Sequence, residues 1–110
     1  MARFKPNRLP YSTQDAMWLR FCGVVHRLKS TEDIHRFFKD LFNRQERVMV
    51  VRRLEIAKRL YEGMTYEEIV KELKTSPLTI ARVQRWLEFG REGYKTAIKE
   101  LLKMGKQNKN

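Results

Sequence analysis

Residues 64–87 read MTYEEIVKELKTSPLTIARVQRWL, a sequence typical of two short helices joined by a tight turn. The first helix is predicted to begin with a capping box, because the Thr65 hydroxyl can accept from the backbone N–H of Glu68 while the Glu68 side chain reaches back. Ser76 is a favourable cap for the second helix. Pro77 fits its first position, where a missing N–H removes no hydrogen bond. The segment therefore predicts a helix-turn-helix.

The two predicted helices each have an apolar face. These faces consist of Tyr66, Ile69, Val70 and Leu73 in the first helix and Ile80, Val83 and Leu87 in the second. The second helix has another stripe, Thr79, Arg82 and Arg85, with one hydroxyl, two guanidinium groups and no acid. Such a helix suits the major groove of DNA, with its N-terminal residues at base edges. A helical hairpin on the protein surface, with arginines that contact only solvent, has the same pattern. The total charge of the chain must therefore help to distinguish a DNA-binding motif from such a hairpin.

Composition favours a polyanion as partner. The chain has 110 residues, with 24 Lys and Arg against 13 Asp and Glu, which gives a net charge of +11. Nucleic acid is the first expectation and an anionic membrane surface the second. No apolar run approaches the ~20 residues of a membrane span, and no signal peptide is visible. The lone Cys22 excludes an internal disulfide and fits a reducing compartment, so we expect a cytoplasmic protein.

Helical spacing of apolar residues extends along the chain and predicts an all-α fold of six helices. We expect a flexible basic arm at 1–11, a helical domain at 12–104 that binds DNA and dimerises, and a basic tail at 105–110. The helix-turn-helix lies at about 65–87. Ser12 is the predicted cap of the first helix. The apolar face of that helix is wider than packing within one chain needs, which predicts burial against a second subunit.

No catalytic or metal-binding pattern stands out. The sequence has no Gly-rich phosphate loop and no Ser-His-Asp arrangement beyond chance. Cys22 and His26 are four residues apart, but two ligands without a third do not make a zinc site. We therefore predict that the protein is not an enzyme and uses no cofactor or metal.

Several segments resemble the Trp repressor superfamily, and in particular its YerC/YecD-type branch. They are RLEIAKRLYEGMTY at 53–66, TIARV at 79–83, the Gly90 to Tyr94 segment and residues 28–41, and the resemblance covers roughly 12–102. It implies an intertwined all-helical homodimer with a helix-turn-helix on each protomer. It also implies sequence-specific repression or related transcriptional control.

The resemblance also bears on a small-molecule effector. Tryptophan-responsive members hold the indole between two arginines, and Arg52 and Arg82 match those positions. The next position is a glycine in those members and Val83 here, and a nearby small polar position is Trp86. Both changes add bulk where the ligand would lie. We therefore expect DNA binding without a tryptophan corepressor, and the sequence identifies no other effector.

Double-stranded DNA is thus the predicted partner, bound by a homodimeric repressor. Thr79 and Arg82 are expected at base edges and Arg85 at phosphate. The full set of predicted contacts is Thr65, Tyr66, Pro77, Leu78, Thr79, Arg82, Arg85, Arg52 and Arg53. Two alternatives stay open: a non-specific or RNA-binding basic protein, since charge alone does not choose among nucleic acids, and a dimeric module that binds another protein.

Overall fold

Six α-helices make up the part of the protein that the computed structural model describes, residues 9–107, and this range contains no strand. The helices are α1 (Tyr11–Arg27), α2 (Thr31–Leu41), α3 (Arg44–Tyr61), α4 (Tyr66–Leu73), α5 (Pro77–Phe89) and α6 (Gly93–Gln107). The predicted all-α class is confirmed. Within the same range, no helix is long and apolar enough to cross a membrane.

The first of two compact units contains α1 and α2. Aromatic rings join the two helices, since the ring centroid of Phe21 lies 5.9 Å from that of Phe37 and 6.3 Å from that of Phe38. Neither helix contains a fully buried residue, and Met17 and Trp18 are 49% and 62% exposed. The pair therefore covers little of its own apolar surface.

The beginning of α1 differs from the prediction. Ser12 does not cap the helix, because α1 begins one residue earlier, at Tyr11. The carbonyl oxygen of Pro10 accepts from the backbone N–H groups of Thr13 and Gln14, at 3.0 and 3.1 Å. This carbonyl supplies the first hydrogen bonds of the helix, and no side chain caps it.

The second unit contains α3 to α6 around one apolar core. Each of the four helices contributes at least one buried side chain. The buried core residues are Ile56 and Ala57 of α3, Ile69 of α4, Ile80, Val83 and Leu87 of α5, and Ile98 of α6. The predicted apolar face of the helix-turn-helix thus packs inward except at Tyr66, which is exposed. The opposite face of α5 is left in solvent.

Gly63 follows the C-terminal end of α3. Its φ of +90° is accessible to glycine at little cost, and the Met64 N–H donates to the Arg59 carbonyl at 2.9 Å. Arg59 then ties α3 to α4, because its guanidinium donates to Glu55 and to Glu72, each at 2.6 Å. The hydrogen bond to Glu55 and then the contact with Glu72 raise the pKa of Arg59, although burial opposes them.

The predicted arm and tail lie largely beyond the described range. Residues 1–8 of the arm are outside it, and Tyr11 already belongs to α1. At the other end, α6 continues to Gln107, so this helix includes part of the segment 105–110. Residues 108–110 lie outside the described residues, and the arm and tail stay predictions.

Candidate nucleic-acid interface

The capping box at the beginning of α4 is formed as predicted. The Thr65 hydroxyl accepts from the Glu68 N–H at 3.2 Å, and the Glu68 carboxylate accepts from the Thr65 N–H at 2.9 Å. The backbone hydrogen bond from Thr65, followed by the one from its hydroxyl, lowers the pKa of Glu68. The first turn of α4 is therefore held by reciprocal hydrogen bonds.

The turn between α4 and α5 has the expected length and chemistry. Lys74 ends α4 in the left-handed region at φ 55°, and its N–H donates to the Val70 carbonyl. Ser76 caps α5 by accepting from the Thr79 N–H at 3.2 Å, and Pro77 occupies the first turn. The Ser76 and Thr79 hydroxyls share a further hydrogen bond at 3.0 Å.

The exposed face of α5 carries the recognition candidates. Arg82 and Arg85 are exposed, whereas Thr79 is half-buried and its hydroxyl is already bonded to Ser76. Leu78 is 61% exposed, in contrast with the buried apolar residues of the same helix. Ala81 is exposed between these side chains. The outward stripe of α5 is thus apolar where the helix begins and cationic one to two turns later.

A cleft of about 240 Å³ lies beside this stripe, between α3 and α5. It is lined by Met49, Arg52, Arg53, Thr79, Arg82 and Trp86. Four of the predicted DNA-contacting residues therefore come together although they lie about 30 positions apart in the sequence. The Arg53 guanidinium lies 5.6 Å from the centroid of the Trp86 ring, within the range of a cation–π contact.

Trp86 lines this cleft, whereas Val83 does not. Val83 is fully buried in the core and does not line the cleft, so the expectation that its side chain fills the space between Arg52 and Arg82 is wrong. The next residue in a helix is rotated by about 100°, which turns Val83 inward when Arg82 faces outward. Trp86 follows Arg82 by four positions and shares its side of α5.

Trp86 also borders a second, wider cleft of about 530 Å³ between α3, α5 and α6. Arg53, Arg91 and Tyr94 line it together with apolar side chains. Burial raises the pKa of Tyr94, and the charge of Arg53 opposes that shift. Gly90 lies at its edge, where a Cβ would overlap the carbonyl oxygen of Trp86. Neither Tyr94 nor Arg91 is among the contacts predicted from the sequence, and no sequence pattern marks their place in this cleft.

Two further predicted contacts lie at the other side of the helix-turn-helix. Thr65 is exposed at the beginning of α4, and Tyr66, 37% exposed, forms a notch with Pro77 of α5. The described part of the chain has no cluster of three or more His, Cys, Asp or Glu side chains arranged to hold a metal ion. The groups that the predicted contacts expose are guanidinium, hydroxyl and apolar side chains.

The chain is similar to known proteins along the residues that form its six helices. The family model described as Trp repressor protein matches residues 16–102. The uncharacterized protein YerC of Bacillus subtilis (strain 168) is 42% identical over 71 residues, which are 64% of this chain and 68% of YerC. The crystal structure of a TrpR-like protein from Eubacterium eligens ATCC 27750 superposes with a TM-score of 0.69 at 32% identity, covering 79% of this chain and 89% of that one. A candidate Trp repressor from Staphylococcus aureus gives a TM-score of 0.70 at 27% identity, covering 90% and 95%.

Proposed function

Because the chain belongs to the Trp repressor family, whose members are regulators and not enzymes, we propose that it represses transcription by binding double-stranded DNA sequence-specifically. In this proposal the protein acts as a homodimer, and α5 of each protomer enters the major groove. Its place is the bacterial cytoplasm, at the nucleoid when DNA is bound. The family assignment agrees with the resemblance found in the sequence.

The observation that carries the proposal is a group of arginines beside the exposed face of α5. Arg82 and Arg85 project from this helix, and Arg52 and Arg53 of α3 lie in the cleft next to it. Among the described residues, no acid forms an ion pair with any of the four. By contrast, Arg59 is paired with two glutamates. Unpaired like charges gathered on one surface favour a polyanionic partner, because phosphates neutralise them and release counterions.

The roles of these residues follow from their positions. We assign Arg82, with Thr79, to base edges, since both lie in the first half of α5. Arg85 is assigned to phosphate, as are Arg52 and Arg53 on the neighbouring helix. At the other side of the motif, the exposed beginning of α4 offers a further backbone contact through Thr65 and Tyr66, next to Pro77.

The homodimer is supported by the exposed apolar surface of both units. In the first unit, Met17, Trp18 and Leu19 are 49, 62 and 70% exposed. In the second, Val50 and Val51 on α3 are 50 and 56% exposed. Large apolar side chains exposed in such number typically mark an interaction site, and a second copy of the chain would remove them from water. Two copies would also present two α5 helices to one duplex.

We further propose that free tryptophan is not a corepressor. The support comes from Trp86, whose indole already lines the cleft next to Arg52 and Arg82 and lies under the guanidinium of Arg53. A second indole between the arginines would have to displace this side chain. DNA binding is accordingly a property of the ligand-free protein.

Selection from a random double-stranded DNA library with the purified protein tests the function. The expected result is an enriched inverted repeat whose half-sites lie about one helical turn, ~10 bp, apart, as expected for a two-fold symmetric helix-turn-helix protein. Arg82→Ala should lose the preference for this repeat. The matched control, Arg36→Ala, removes the same charge from an exposed, ion-paired position on α2 and should retain it.

Two results would contradict the proposal. Equal retention of random DNA and of RNA of the same length, without enrichment, would identify a non-specific basic protein. Absence of binding to either nucleic acid at low salt would favour a protein-interaction module.

A further inference from the structure

Leu78 is an unusual side chain on the surface proposed to meet DNA. It is 61% exposed in the first turn of α5 and belongs neither to the apolar core nor to the side chains packed against it. Single exposed leucines are common on protein surfaces, so exposure alone assigns no role. Its neighbours on the helix give the stronger argument.

The stripe that contains Leu78 is the same one that carries the exposed arginines. Residues three, four and seven positions apart share one side of a helix, so Leu78 is in line with Ala81, Arg82 and Arg85. All four side chains are exposed. Because Arg82 and Arg85 have no ion-pair partner among the described acids, a polyanion on this stripe would place Leu78 against it too.

Thr79, the polar residue next to Leu78, is less exposed to a binding partner than Leu78 is. The Thr79 side chain is half-buried, and its hydroxyl already shares a hydrogen bond with that of Ser76. The first turn of α5 therefore presents an apolar group outward where a helix of this kind approaches base edges. In the major groove, the C5 methyl group of thymine is the apolar feature that distinguishes one base from the others.

We propose that Leu78, supported by Ala81, reads the C5 methyl group of a thymine in the target site. This inference rests on the DNA-binding function proposed above and specifies part of its target. Arg82, one turn further along α5, would then read a neighbouring base, for which guanine is the usual partner of arginine. The contact needs no backbone change, because the leucine already projects from the helix.

Deoxyuridine substitution provides a direct test. Deoxyuridine pairs with adenine as thymidine does and lacks only the C5 methyl group. The selected binding site is synthesised with deoxyuridine in place of thymidine at one position at a time, and the dissociation constant of each duplex is measured. We expect about fourfold weaker binding for each contacted methyl group removed, which corresponds to one methyl group no longer buried. Thymines elsewhere in the site should be insensitive.

A pair of variants assigns the effect to the side chain. Leu78→Ala should bind the thymidine and deoxyuridine duplexes equally well. Phe89→Ala is the control: it removes a 78%-exposed apolar side chain from the other end of α5 and should preserve the fourfold ratio. Neither residue is in the core, so circular dichroism and the melting midpoint should change little.

The possible results separate this inference from the function on which it rests. A selected site with no deoxyuridine-sensitive thymine overturns the role of Leu78 while leaving sequence-specific binding intact. Sensitivity that persists unchanged in Leu78→Ala overturns it as well. Failure to select any site overturns the proposed function and this inference with it.

Discussion

Replacing Val83 with glycine tests whether this residue supports the core or obstructs the cleft between Arg52 and Arg82. Val83 is fully buried, so Val83→Gly removes three carbons of apolar side chain from the interior. At about 0.8 kcal/mol for each, the lost burial amounts to about 2.4 kcal/mol. Glycine inside a helix adds roughly 0.5 kcal/mol relative to valine, which gives about 3 kcal/mol of destabilisation.

Urea and thermal unfolding measure that loss at a fixed protein concentration. For a domain of this size, about 3 kcal/mol corresponds to a fall in the melting midpoint of more than about 10 °C. Val83→Ala, which removes two carbons, provides a milder variant if the glycine form does not fold. Calorimetry with L-tryptophan completes the assay, and we expect no saturable binding to the wild type or to either variant.

Two results would refute the reasoning. A loss below about 1 kcal/mol would mean that Val83 does not fill the core. Tight tryptophan binding gained by Val83→Gly, with Trp86 intact, would mean that the valine side chain does close the cleft.

Three further predictions concern the helix-turn-helix and the assembly. The pKa of Glu68 is lowered in the folded protein, so the ionised carboxylate stabilises the fold at pH values above the ordinary pKa of a glutamate. This contribution disappears as the pH falls through the lowered pKa. Glu68→Gln should therefore lower the urea midpoint at pH 7 but not in acid; an equal loss at both would contradict this. Arg59→Ala should lower the free energy of unfolding by about 1–2 kcal/mol, because it removes a largely buried guanidinium and its contacts with two carboxylates, which are then hydrated by water. A loss of less than about 0.5 kcal/mol would show that the ion pair with α4 contributes little to stability. The melting midpoint should rise with protein concentration if folding requires the dimer, and a folded monomer in light scattering at micromolar concentration would exclude that.

Local chemistry made the helix-turn-helix predictable. The capping box of Thr65 and Glu68 and the Ser76 cap each depend on hydrogen bonds within a few residues, so the sequence contains most of the required information. The prediction that Ser12 caps α1, made in the same way, was wrong. There the Pro10 carbonyl begins α1 one residue earlier, and a backbone group leaves no mark in the side-chain pattern.

The arrangement of the site depends on contacts that are distant in the sequence. Arg52 and Arg82 can be placed together by family resemblance, but the rotation of α5 about its axis is set by its packing in the core. The periodicity already places Val83 on the apolar face, and it is the packing that brings Trp86 to the cleft, under Arg53. Periodicity indicates which residues share a face, whereas the neighbours of that face follow only from the packed helices.

The central claim is that α5 reads base sequence through Arg82 while Arg85 contacts phosphate. Dissociation constants of the wild type, Arg82→Ala and Arg85→Ala, each measured on the selected site and on a scrambled duplex over a range of salt concentrations, test it most directly. We predict that Arg82→Ala loses about 1–3 kcal/mol on the selected site and little on the scrambled duplex. Arg85→Ala should weaken both duplexes equally and reduce the salt dependence by about one phosphate contact. Equal losses on the two duplexes for Arg82→Ala would contradict the claim.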